Sequence, residues 1–382
     1  MSKQNPIAKK AIAVHKKLNG KISVVSKVPV KNAKELAIYY TPGVGAVSSY
    51  LAQNKDQVRN FTIKRNTVAV VSDGSAVLGL GNIGPEGAMP VMEGKCQLFK
   101  SFADVDAFPI ILDTQNTDEI VETVKHIALI FGGINLEDIS APRCFEIERR
   151  LINELDIPVM HDDQHGTAVV AVAALMNALK VVKKSLQKSK VVIVGAGAAG
   201  TAVTKLLLAE GAGDIIMVDS KAIISKDRKD TNGFKKEMAE ITNKNNISGP
   251  MEEAIKGADI LMGLSVAGLF KPEHIKSMAE RPIVFAMANP VPEIMPDVAK
   301  KAGAMVVATG RSDFPNQINN VLGFPGIFRG ALDNNVKKIT QEMKLRVARN
   351  LAGLIKKPTP TLIIPSPFDK RVVKAVAKAI KD

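Results

Sequence analysis

Val191-Val192-Ile193-Val194-Gly195-Ala196-Gly197-Ala198-Ala199-Gly200 carries four β-branched residues straight into a G-x-G-x-x-G turn. The apolar run reads as a buried strand, the glycines as the turn that ends it, and Ala198 onward as a helix. Gly195 then permits the tight turn, Gly197 lets the backbone approach a pyrophosphate, and Gly200 allows close helix–strand packing. Ala196, Ala198 and Ala199 complete this candidate cofactor loop. The new helix offers its unpaired N–H groups and positive dipole end to phosphates. Asp219 follows the next expected strand, nineteen residues beyond Gly200, where a carboxylate meets a ribose 2′-hydroxyl. That favours NAD, whereas Lys221 and Lys226 close by would attract the 2′-phosphate of NADP.

Working outward, short apolar strands are expected at Lys190–Val194, Asp214–Val218, 258–264, 282–287 and 304–308, with a helix over 198–210. Strand–helix alternation with fully apolar strands indicates a parallel sheet covered on both faces, a Rossmann-like doubly wound domain. A buried helix over 168–182 leads into it. Upstream, a helix over 7–18 ends at Asn19-Gly20, and buried strands are expected at 68–71 and 108–112. The expected organisation is an N-terminal α/β substrate domain over 1–163 and a dinucleotide domain over 164–382 that ends in a helical tail.

The chain's 382 residues suit two domains, and 46% hydrophobic with 24% charged residues excludes disorder as its main state. Cys96 and Cys144 are too few for a disulfide scaffold, and no secretory leader or membrane-spanning stretch is read, so a soluble cytoplasmic protein is expected. The net charge of +14 raises nucleic acid as a partner. Against it, lysines are spread along the chain and aromatics are only 4%, which leaves few stacking platforms. Neither nucleic acid nor membrane is expected as a partner; anionic small molecules suit the charge equally well.

Two acidic pairs, Glu137-Asp138 and Asp162-Asp163, flank the domain junction. Carboxylates without cysteine favour a hard cation, Mg²⁺ or Mn²⁺; alternatively, Asp162-Asp163 serve the first turn of a helix beginning near Thr167. His161 and His165 suit turn or core hydrogen-bonding roles better than ligation. Tyr40 precedes Thr41-Pro42-Gly43, a turn that would present its phenol to a cleft. Lys95 lies in an apolar run over 88–99, where burial would lower its pKa and make it a base; a lysine snorkelling to water is the duller alternative. Asn289 and Asn320 sit in loops after expected strands, where amides hold a nicotinamide ribose or a substrate carboxylate.

Tyr40-Thr41-Pro42-Gly43-Val44-Gly45, Gly79-Leu80-Gly81-Asn82-Ile83-Gly84, Glu93-Gly94-Lys95, Leu136-Glu137-Asp138, Asp162-Asp163-Gln164-His165-Gly166-Thr167 and Gly195 to Gly200 together resemble malic enzyme. The motifs run in order from about Lys34 to Arg329 and look closest to the short microbial form. The resemblance implies oxidative decarboxylation of L-malate to pyruvate and CO₂ with reduction of NAD or NADP. It implies Glu137, Asp138 and Asp163 as metal ligands, Lys95 as general base, Tyr40 as general acid, and a homodimer. Asn289 and Asn320 match amides that contact cofactor or substrate. A malolactic outcome, with lactate released and the cofactor retained, uses the same sites, and a non-catalytic nucleotide-sensing or nucleic-acid-binding protein is the reading from another class. One departure stands out: larger members carry an arginine in the loop before the Gly79 motif, where this chain reads Asp73-Gly74-Ser75-Ala76-Val77. Malate anchoring would then fall to Ser75, backbone N–H groups, Asn289 or Asn320.

Overall fold

The computed structural model describes residues 6–77, 79–231 and 233–381. Strands β1 (Thr67–Ser72), β2 (Asp106–Ile111), β3 (Gly133–Leu136) and β4 (Val159–His161) form an all-parallel sheet in the order β2-β1-β3-β4. Every residue of β1 is buried, because the strand has helices on both sides. Val68 and Val70 pack with Met92 and Phe99 of the Gly84–Ala103 helix, while Ala69 and Val71 meet the Thr117–Ile127 and Arg143–Glu154 helices.

Strands β5 (Lys190–Val194), β6 (Asp214–Val218), β7 (Ile260–Gly263), β8 (Ile283–Ala286) and β9 (Val306–Thr309) form a second parallel sheet, ordered β6-β5-β7-β8-β9. The expected strands are therefore all present, those at 258–264 and 282–287 shortened at both ends and that at 304–308 found at 306–309. Strand order reverses on either side of β5, so Gly195 at its end lies at the topological switch point, where such sheets bind ligands. The Rossmann-like doubly wound architecture expected from the glycine loop is the one found.

The Asp162–Val182 helix joins the sheets and is long and apolar enough to cross a membrane, yet most of it is buried at the centre of the fold. It begins at Asp162 rather than near Thr167, so both aspartates belong to its first turn and Gln164 lies within it. The C-terminal helices also return to the first sheet. Phe324 and Phe328 of the Phe324–Asp333 helix meet Phe99 at 4.7 and 5.5 Å between ring centroids, edge to face, and share one apolar core with both sheets. By contrast, among the described residues, the Pro6–Leu18, Ala33–Tyr39 and Gly43–Gln53 helices contribute nothing to any buried cluster.

Candidate active site

Lys95 lies on the stripe of the Gly84–Ala103 helix that also buries Ala88, Met92, Cys96 and Phe99. Its ammonium donates to Asp162 Oδ2 at 2.6 Å, lies 2.8 Å from Glu137 Oε1, and sits over the Phe324 ring at 4.1 Å. Burial by itself would lower its pKa, as expected from the sequence, but Asp162 and Glu137 outweigh burial and hold it above the usual lysine range. The buried amine is thus a clamped ammonium; the expectation of a lowered pKa omitted the two acids that the fold brings to it.

Glu137 and Asp138 close β3, and Asp163 opens the helix that follows β4; one oxygen from each lies within 4.8 Å of the others. Asp138 adopts φ 53°, and its N–H donates to Asp163 Oδ2 at 2.7 Å, which fixes the two acids against each other. Burial and the neighbouring acids push Glu137 well above the usual carboxylate range despite Lys95. Asp163 falls below its usual range because His161, 3.1 Å away, and the other cations outweigh its burial. Three crowded carboxylates, with no sulfur among them, make a donor set for a hard divalent cation, whose charge would relieve their repulsion. Behind them His161, Gln164 and His165 are hydrogen-bonded around buried Glu148, the core role expected of the two histidines.

At the switch point Gly195 has φ 120°, and a Cβ there would run into the Leu264 carbonyl at the end of β7. Gly197 is exposed, with nothing within 4 Å of where its Cβ would be, so its backbone is open to a phosphate. Ala196 is buried, and Ala198, Ala199 and Gly200 form the first turn of the Ala198–Ala209 helix. Asp219 is fully engaged. Its carboxylate accepts the Lys221 and Ala222 N–H groups at 2.9 and 3.1 Å, Arg228 at 2.9 Å and Lys235 at 2.6 Å. These donors outweigh burial and hold it well below the usual range. Lys221 and Lys226 pair instead with Asp230 and Glu240. Sequence reading missed Arg228 and Lys235, the cations that lie on Asp219.

Asn289 follows β8 and is exposed beside Gly310. The Gly79 motif closes on the same loop, since a Cβ on Gly79 would collide with the Asn289 carbonyl. Asn320 lies against the first turns of the Asp162–Val182 helix, its Cβ 3.2 Å from the place a Cβ on Gly166 would take. Glu293, which the sequence reading also missed, is wholly buried and accepts the N–H groups of Ser265 and Ala288 at 2.9 and 3.0 Å. It thereby fastens the loops after β7 and β8.

One expectation requires correction. Ser75 does not offer a free hydroxyl to substrate: its Oγ donates to Asp73 Oδ1 at 2.5 Å and accepts the Ser140 N–H at 2.9 Å. Arg143, from beyond β3, pairs with Asp73 at 2.9 Å and brings to this loop the guanidinium its own sequence lacks. Tyr40 is 63% exposed at the end of the Ala33–Tyr39 helix.

A dinucleotide loop at one sheet's switch point, together with a buried lysine and clustered acids at the carboxyl ends of the other sheet, defines a dinucleotide-dependent oxidoreductase. Residues 19–152 match the family model described as malic enzyme, N-terminal domain, and residues 164–380 that described as malic enzyme, NAD binding domain. An NAD-dependent malic enzyme of Geobacillus stearothermophilus is 57% identical over 365 residues, 95% of this chain and 76% of that one. A bifunctional malic/malolactic enzyme of Bacillus subtilis is 55% identical over 98% of this chain and 92% of its own. The crystal structure of an NAD-dependent malic enzyme from Thermotoga maritima superposes with a TM-score of 0.95 at 50% identity, covering 97% of this chain and 98% of that one. The chain belongs to the malic enzyme family.

Proposed function

We propose that the protein oxidatively decarboxylates L-malate to pyruvate and CO₂, reducing NAD⁺ or NADP⁺, with Lys95 as general base. The observation that carries this reading is Lys95 clamped between Asp162 and Glu137 beside the Glu137–Asp138–Asp163 cluster. Those three acids would hold Mg²⁺ or Mn²⁺, which when bound supplies positive charge for the C2 oxygen as the carboxylate leaves. With Glu137 in a ligand set, Lys95 keeps Asp162 as its main counter-charge, and its hold on its proton weakens toward the range of a working base. Lys95 would then take the C2 hydroxyl proton, and the dinucleotide, its pyrophosphate held by the Gly195–Gly200 loop, would supply the hydride acceptor for C2. After decarboxylation Tyr40 protonates C3. Asn289 and Asn320 orient the substrate carboxylate and the nicotinamide ribose. Lean toward NAD comes from Asp219, which a 2′-phosphate would oppose; Arg228 and Lys235 work in the other direction.

A homodimer is part of the proposal. Tyr40 ends the Ala33–Tyr39 helix, which exposes Leu36, Ile38 and Tyr39, and a second copy covering that helix would bring Tyr40 to a cleft. A cytoplasmic setting is supported by Cys96 and Cys144, both free and buried.

The test mixes the protein with L-malate, Mn²⁺ and either NAD⁺ or NADP⁺ and follows reduced cofactor, pyruvate and lactate. Reduced cofactor with equimolar pyruvate is the expected result. Lactate without net reduced cofactor would favour the malolactic reading, supported by the Bacillus subtilis relative's bifunctional name. Neither product would sink both.

A further inference from the structure

A cavity of about 820 Å³, lined from Thr201 onward on the helix that follows the glycine loop, separates the Arg143–Glu154 helix from the Ala198–Ala209, Gly233–Ile241 and Gln341–Gly353 helices. Phe145 and Phe234 pack together in its wall, ring centroids 5.1 Å apart. Two polar side chains lining it lack the partners that burial demands. Lys344 is 9% exposed, and its ammonium donates only to the neutral side of an imidazole, His165 Nδ1, at 3.2 Å, with no carboxylate in ion-pair range among the described residues. Thr201 is 3% exposed, and its hydroxyl has no hydrogen-bond partner among the described residues.

Of the acids around the cavity Glu148 acts on Lys344, but across His165 rather than in direct contact. Glu237 pairs with Lys205 at 2.7 Å, Glu148 with His165 at 3.0 Å, and Glu146 approaches Arg150 at 3.7 Å. Arg149, exposed on the wall, has no ion pair among the described residues. What sets Lys344 apart is that its hydrogen-bond partner among the described residues is a neutral imidazole, with Glu148 on the far side of that ring. Desolvation also presses the Lys344 ammonium below its usual range, the cost an anion beside it would offset. An oxyanion can accept from both the ammonium and the hydroxyl, and a cavity of this size falls within the range of small-metabolite sites.

We propose that this cavity is a second ligand site, taking a small metabolite through a carboxylate or phosphate held by Lys344 and Thr201, with occupancy transmitted to Asp163. The transmission path is continuous. His165 accepts from Lys344 on Nδ1 and so donates from Nε2 to Glu148 at 3.0 Å. Glu148 Oε1 accepts the His161 N–H at 2.7 Å, and His161 Nε2 lies 3.1 Å from Asp163 Oδ2. A ligand that draws Lys344 away from His165 alters the support of His161, and with it the Asp163 carboxylate. This coupling, unlike the site itself, rests on Asp163 being a metal ligand.

Calorimetric titration of the full-length, cofactor-free protein with inorganic phosphate and, separately, with succinate tests the site without reference to turnover. Saturable binding of at least one probe is expected. Thr201→Val, which removes one hydroxyl and keeps the shape, should weaken it roughly 3–10-fold, and Lys344→Met about 10–100-fold. The site is overturned by no binding of either probe up to about 10 mM, by binding indifferent to both substitutions, or by binding that L-malate displaces competitively. For the coupling, Mn²⁺ affinity is read from the electron-spin resonance of the free ion against protein-free blanks containing the same probe. A shift of about threefold or more on adding the bound probe is expected, and its absence overturns the coupling.

Discussion

At the scale of single residues, the site is organised by how charges are shared. Lys95 has two acid partners, and only one of them, Glu137, belongs to the proposed cation set. Replacing Lys95 with Met should therefore lower kcat by about 10²–10⁴-fold, while nucleotide affinity, measured by fluorescence titration, stays within about threefold of the parent. Retained turnover would remove Lys95 from its role. His161 is the sharper probe of the acids because it lies behind Asp163 rather than in the candidate ligand set. His161→Gln should cost about 10–100-fold in Mn²⁺ affinity, measured directly on the protein without substrate. Arg228 tests cofactor choice. Freed from Asp219 it would meet a 2′-phosphate, so Arg228→Ser should raise KM for NADP⁺ about 10-fold and for NAD⁺ far less. Equal changes would confine Arg228 to bracing Asp219.

At the scale of elements, the Arg143–Glu154 helix sends Glu148 beneath the start of the Asp162–Val182 helix. Burial opposes the charge on Glu148, but His165 and His161 outweigh it and lower its pKa to about 2. A depressed carboxylate contributes stability above its unfolded value, near 4.5, and loses it as pH falls toward 2. The contribution at neutral pH is on the order of 3 kcal/mol. Glu148→Gln should therefore lower Tm at pH 7, and the gap from the parent should shrink between pH 4.5 and 3 as measured by calorimetry. These same elements divide what the sequence makes legible from what it does not. Strand, turn and helix around Gly195 are local consequences of β-branched runs and glycines, so β5, its helix and β6 fall within a residue of expectation. Asp162 and Asp163 are ambiguous locally, since an acidic first turn and a cation site call for the same residues. Only the parallel register, which brings the ends of β3 and β4 side by side, puts Glu137 and Asp138 with Asp163. Glu293 and Arg228 carry no local signature at all, because their partners are backbone groups and an acid set by tertiary packing.

At the scale of the whole molecule, the two sheets share one core through the Asp162–Val182 and Phe324–Asp333 helices, while the N-terminal helices remain outside it. A chain that exposes Leu36, Ile38, Tyr39 and Tyr40 along one short helix and its end leaves apolar area that another copy can bury. If the proposed general acid serves the partner's cleft, Tyr40→Phe and Lys95→Met are defects in two different halves of each site. Mixing the two nearly inactive proteins under subunit exchange would create mixed dimers with one site carrying both lesions and one carrying neither. Random pairing makes half of all dimers mixed, so recovered activity should approach about a quarter of the parent value. If Tyr40 and Lys95 serve the same chain, every site keeps one lesion and mixing restores nothing. Sedimentation of each variant as a dimer is the accompanying control, since loss of association would remove recovery for a different reason.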